Sequence, residues 1–110
     1  MSQDDTYSPL RKGLLELAVL SIVSGHEVYA ADILDRLADT EFRTGEGTLY
    51  PLLSRMKREN LLDYSWVESP SGPPRKYYKL TAAGTTRLKD GQDYITKLTH
   101  TLKELGGHHA

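Results

Sequence analysis

The apolar positions of this chain fall at helical spacing over most of its length and at strand-like spacing over one short stretch. Ser8-Pro9 predicts a helix start, because serine caps free N–H groups and proline is tolerated at the first helical position. From there Leu10, Leu14, Leu15, Leu17, Ala18, Val19, Leu20 and Ile22 cover more than one face. Such a helix is expected to be buried on two sides, the second against another subunit, and Gly25 is expected to end it. A second helix is predicted over Tyr29 to Leu37, with Ile33, Leu34 and Leu37 inward and Asp32, Asp35 and Asp39 on the opposite, solvated face.

A third helix is predicted from near Gly47 to Arg58. Leu49, Leu52, Leu53 and Met56 share one apolar arc, with Thr48, Pro51, Ser54, Arg55 and Arg58 opposite and Tyr50 and Lys57 along a border. Pro51 belongs in its first turns, since its ring would press on the carbonyl of Gly47. Leu61 to Glu68 and Arg75 to Leu80 read as two strands, joined by the turn-rich tip Ser69-Pro70-Ser71-Gly72-Pro73-Pro74. Tyr78 and Leu80 alternate inward and Tyr77 outward, and Trp66 is expected to pack between hairpin and helices. Thr81 then caps a long last helix. Its Leu88, Gly91, Ile95, Leu98, Leu102 and Leu105 lie three or four apart, an a/d seam in which Gly91 permits close backbone approach.

The fold class is therefore mainly α with a small β-hairpin. Residues 1–80 form a winged helix-turn-helix, and residues 81–110 a C-terminal dimerisation helix and tail. In that architecture the third helix enters a major groove and the hairpin is the wing. An internal core is the other reading of the last seam, but a terminal helix with few partners in its own chain suits dimerisation through Leu88, Ile95, Leu98, Leu102 and Leu105.

Charge sharpens this picture. The chain has 110 residues and a net charge of −1, but unevenly spread. Residues 1–42 carry three cations against eight acids, residues 43–89 nine against four, and residues 90–110 two against three. A basic middle between acidic flanks is the footprint of a nucleic-acid binder, a mixed solvated surface being the alternative. The absence of cysteine excludes disulfides and thiol chemistry. The polar start Met1-Ser2-Gln3-Asp4-Asp5 is unlike a signal peptide, and no apolar run reaches a membrane span, so a cytoplasmic protein is expected. Neither H-E-x-x-H, nor G-x-S-x-G, nor a phosphate loop occurs, and no enzyme activity or cofactor is expected. His108-His109 are too few for a metal site and read as a disordered end.

The string GTLYPLLSRMKRENLL (Gly47 to Leu62), followed by WVESPSGPPRKYYKLTAAG, resembles the PadR family of bacterial winged-helix transcriptional regulators. RKGLLELAVLSIVSG and VYAADIL match its first two helices, so the resemblance spans about residues 8–106. The short single C-terminal helix is similar to the smaller of the family's two size classes. Where the family often has Y-G-Y-E, this chain has Tyr29-Ala30-Ala31-Asp32, and Thr44-Gly45-Glu46-Gly47 stands where many members place a proline.

The resemblance implies a homodimer that binds double-stranded DNA at an inverted repeat, represses, and in many members is released by a small effector. It puts Tyr29, Thr44, Thr48, Tyr50, Ser54, Arg55, Arg75 and Lys76 at the DNA. Arg75 and Lys76 could instead pair across the hairpin with Glu68, and Tyr50 could cover the core. An apolar or phenolic effector would meet Leu14, Leu15, Ala18, Tyr94, Ile95 and Leu98 in a gap at the two-fold axis. The alternative function is a winged-helix protein–protein module without DNA binding.

Overall fold

The structure, a computed structural model, describes residues 3–107; His108 and His109 lie outside them. The element order is α1 (Gln3–Val23), β1 (Val28–Tyr29), α2 (Ala30–Ala38), α3 (Glu46–Arg58), β2 (Leu62–Ser69), β3 (Gly72–Leu80) and α4 (Ala82–Gly107). Four helices and a three-stranded antiparallel sheet make a winged helix-turn-helix, with α4 extending beyond it.

Helix α1 begins before Ser8, so Pro9 sits inside it and not at its start. There the proline forfeits one helical hydrogen bond, a loss the turns on either side sustain. Leu15, Val19, Leu20 and Val23 are buried, and Leu17, Ala18 and Ile22 pack at the edge of the same core. Within its own chain the helix thus packs against α2, β3 and α4, while Leu10 stays exposed. The contact with α4 is closest at Gly91, where a Cβ would stand 2.7 Å from Leu17 Cδ1.

A third strand escapes the periodicity. Val28 and Tyr29 pair with Tyr78 and Tyr77 of β3. Tyr29 therefore ends a strand, and α2 starts one residue later than its apolar spacing suggests. Two residues are too few to show a period.

Helix α3 stops through backbone geometry. Asn60 adopts φ 63°, Leu61 N–H donates to Met56 O (2.9 Å), and Asn60 N–H donates to Lys57 O (3.0 Å). This is a Schellman motif with asparagine in the left-handed position. It turns the buried Leu61 into the core and launches β2.

The wing is longer and its tip tighter than the proline-rich sequence suggests. Ser69 pairs with Gly72, leaving only Pro70-Ser71 between the strands, and Gly72-Pro73-Pro74 belong to β3. Between Val67↔Arg75 and Ser69↔Gly72 the register shifts, setting Pro73 and Pro74 opposite Glu68 alone. Proline is tolerated at such a bulge, and here β3 has no neighbour on its other side, since β1 reaches only Tyr77 and Tyr78.

Thr81 caps α4 as its position predicts: its Oγ1 accepts from Gly84 N–H (2.9 Å) and donates to Asn60 O (2.6 Å). One side chain thus ties the end of α3 to the start of α4. Of α4 only Gly84 and Leu88 are buried, so Leu88 belongs to the chain's own core. Beyond Ile95 the helix is exposed to its described end. Among the described residues no helix is long and apolar enough to cross a membrane.

Candidate nucleic-acid interface

Helix α3 buries Leu49, Leu53 and Met56 completely. At about 100° per residue, the side turned furthest from them carries Gly47, Pro51, Ser54 and Arg58, and all four are exposed. Three of these are small, and a Cβ at Gly47 would meet nothing within 4 Å, so the helix backbone can approach a ligand closely along this line.

On one side of that line, α3, the start of α2 and the wing enclose a cleft of about 400 Å³. Tyr29, Tyr50, Ser54, Arg75 and Lys76 line it, five of the eight residues expected at DNA. Tyr78 is buried at its floor, and burial pushes its phenol above the usual range, with Tyr64 and Tyr50 adding to the effect. A phenol that stays neutral does not repel phosphate.

Aromatic rings carry the wing's cations. The Arg75 guanidinium lies 4.7 Å from the centre of the Tyr29 ring, which packs against Tyr77 at 5.4 Å. Lys76 Nζ lies 4.5 Å from the Tyr64 ring and 5.5 Å from Trp66. Such contacts hold a cation at a defined place while leaving its N–H donors available. Glu68 stands opposite the bulge, whereas Arg75 faces Val67 and Lys76 faces Trp66. Trp66 does not pack between wing and helices. It is 62% exposed, because its strand has already left the core, and it forms an edge contact with Tyr64. Lys57, 5.8 Å from the Tyr64 ring, joins this group, which its position on a helix border did not reveal.

The remaining candidates lie on the far side of α3. Thr44 and Thr48 border the start of α1. Arg55 donates to both oxygens of Glu59 (3.0 Å each) and pairs with Glu16 of α1 at 3.1 Å. Glu59 first, and Glu16 after it, hold its guanidinium above the ordinary arginine value. Glu16 also accepts from Arg87 of α4 at 2.9 Å, so one carboxylate joins three helices.

The residues expected to line an effector site separate. Leu14, Ala18 and Ile95 share a cleft of about 210 Å³ between α1 and α4 with Leu17, Phe42 and Gln92. Leu15 is buried in the core instead, and Tyr94 and Leu98 are exposed on α4 outside this cleft. In the predicted seam Leu98, Leu102 and Leu105 are exposed by 40%, 70% and 69%. Among the described residues no group of three or more histidines or carboxylates is placed to hold a metal.

Known proteins share this fold. A PadR-like transcription factor from Bacteroides fragilis is 41% identical, with a TM-score of 0.80 over 93% of this chain and 99% of that one. A PadR family regulator from Eggerthella lenta is 30% identical, with a TM-score of 0.84 over 94% and 91%. The transcriptional regulator Rv3488 of Mycobacterium tuberculosis is 29% identical over 97 residues, 88% of each chain. The sequence profile of the transcriptional regulator PadR-like family matches residues 19–90, which run from the end of α1 through the helix-turn-helix and wing into α4. With its fold and most of its length matched, the chain belongs to the PadR-like family of transcriptional regulators.

Proposed function

We propose that this protein represses transcription by binding an inverted-repeat operator as a homodimer in the cytoplasm, without enzymatic activity. Helix α3 enters the major groove by its Gly47, Pro51, Ser54 and Arg58 face, and the wing from Ser71 to Lys76 lies along the backbone. Residues 1–80 supply the DNA-binding unit, and residues 81–110 pair two copies through Ile95, Leu98, Leu102 and Leu105, with Leu88 anchoring the helix to its own core. Two recognition helices related by a two-fold axis need half-sites about 10 bp apart, or a multiple of that.

The observation that carries this reading is the cleft beside α3, where Tyr29, Tyr50, Ser54, Arg75 and Lys76 converge next to the outward face. An apolar or phenolic effector, if one acts here, enters the α1–α4 cleft and must bind the DNA-incompetent arrangement more tightly than the competent one.

Gel shift and fluorescence anisotropy with the DNA upstream of the protein's own gene, at two salt concentrations, provide the test. Salt-sensitive binding of that duplex is expected. The exposed Trp66 beside the half-exposed Val67 favours a second reading, a protein-binding wing. That reading takes over if a folded dimer binds neither this duplex nor any other.

A further inference from the structure

Residues 1–42 hold only three cations, and the fold brings two of them, Arg11 and Lys12, to the side of α3 turned away from the wing. There α1 and the segment before α3 leave two adjoining clefts of about 170 and 510 Å³. Lys12 and Thr48 line both, so the two form one groove. Ser8, Arg11, Arg43 and Thr44 line one end, and Arg55 the other.

The groove's place on α3 is informative. Tyr50, in the wing cleft, stands about 80° from the outward line of the helix, and Thr48 stands about 80° from it on the opposite side. The two clefts therefore flank the outward face almost symmetrically. A helix seated in a major groove about 12 Å wide has a phosphate backbone on each side. The wing is positioned for one of them. The other must run past α1.

Its chemistry suits that task. Lys12 is exposed and has no ion-pair partner among the described residues. Arg43, which lines the groove, donates from Nε to Ala38 O at 2.9 Å, which ties its guanidinium to the end of α2. Of the groove's two carboxylates, Glu16 is committed to Arg55 and Arg87, so the cations outnumber the remaining Glu41. The Thr44 and Thr48 hydroxyls can donate to phosphate oxygens between them.

We propose that this groove receives the phosphate backbone of the strand opposite the one gripped by the wing, with Lys12 and Arg43 as its principal contacts and α1 as a third DNA-binding element. The inference rests on the DNA-binding reading above.

Because phosphate contacts are independent of sequence, a mixed-sequence duplex about three helical turns long is a sufficient probe. Anisotropy titrations across salt compare the intact protein with Lys12→Ala, Lys12→Ala/Arg43→Ala, Lys76→Ala on the wing and Lys97→Ala on α4. The double variant is expected to flatten the slope of log K against log salt by about 2 per protomer, and Lys12→Ala alone by about 1. Lys97→Ala should leave it unchanged. Since Lys12 has no ion-pair partner among the described residues, its single variant separates DNA contact from any disturbance of the Arg43 loop. If Lys76→Ala flattens the slope while both groove variants keep it, the groove contact is refuted and the wing contact stands. An equal change with Lys97→Ala reduces the effect to net charge and refutes it as well. An intact protein that binds no duplex overturns both readings.

Discussion

Asn60 shows how much one backbone angle can decide. Its left-handed φ of 63° ends α3 and satisfies the carbonyls of Met56 and Lys57. Asn60→Val should cost about 1–2 kcal/mol in urea unfolding, since a β-branched residue resists that conformation, whereas Asn60→Gly should be neutral or better. Arg55 poses a different question at the same scale, because two carboxylates already hold its guanidinium. To read a base it must leave them, and the natural target is a guanine edge, worth about 1–3 kcal/mol of discrimination. Arg55→Ala should therefore change preference at one base pair per half-site, measured by anisotropy across point-mutated operators. Loss of affinity in equal proportion on every sequence would make Arg55 a phosphate contact. No change at all would leave it a clamp between α1 and α3. Its exposed pairs contribute at most about 1 kcal/mol to stability, so the fold survives in either case.

Between elements, the decisive contacts are made where a side chain is missing. A Cβ at Gly84 would overlap the carbonyl oxygen of Leu61, which is backbone and cannot step aside. Gly84→Ala should cost about 1–3 kcal/mol. Gly91→Ala meets only the tip of the Leu17 side chain, and the better helix propensity of alanine, about 1 kcal/mol, offsets the crowding. Thermal melting should rank the two variants clearly, with Gly84→Ala the lower. Neither close approach has a signature beyond the glycine itself, although the position of Gly91 in a leucine seam pointed to one. The apolar arc of α3, the threonine cap of α4 and the inward Tyr78 were legible because each follows from a local repeat or a local hydrogen bond. The pairing of β1 was not, and neither was the exposure of Trp66. The first depends on a partner about 50 residues away, and the second on where the wing parts from the helices. Likewise, spacing could place Arg55 on the polar side of its helix but could not show Glu16 waiting across from it.

At the scale of the whole molecule, charge and shape divide the labour. The chain extends 62 × 36 × 21 Å, with the basic elements on its body and the apolar surface of α4 at one end. Replacing Leu98 and Leu102 together with Asp would put charge into the proposed dimer contact, at a cost of several kcal/mol. Sedimentation should then show monomers, and binding to an inverted repeat should weaken far more than binding to a single half-site. A variant that remains a folded dimer would move the interface elsewhere. The exposed stretch of α4 carries one more consequence. From Thr96 to Gly107 every residue is exposed in the single chain, and a helix of about a dozen residues is marginal in water without a partner. In the proposed dimer, coil-to-helix ordering of that stretch and pairing of two chains become one equilibrium, governed by concentration. Dilution below the dissociation constant of the dimer should release amide protons from Thr96 onward to fast exchange while those of the winged body stay protected. The end of α4 would thus serve as a gauge of how many copies the cell holds.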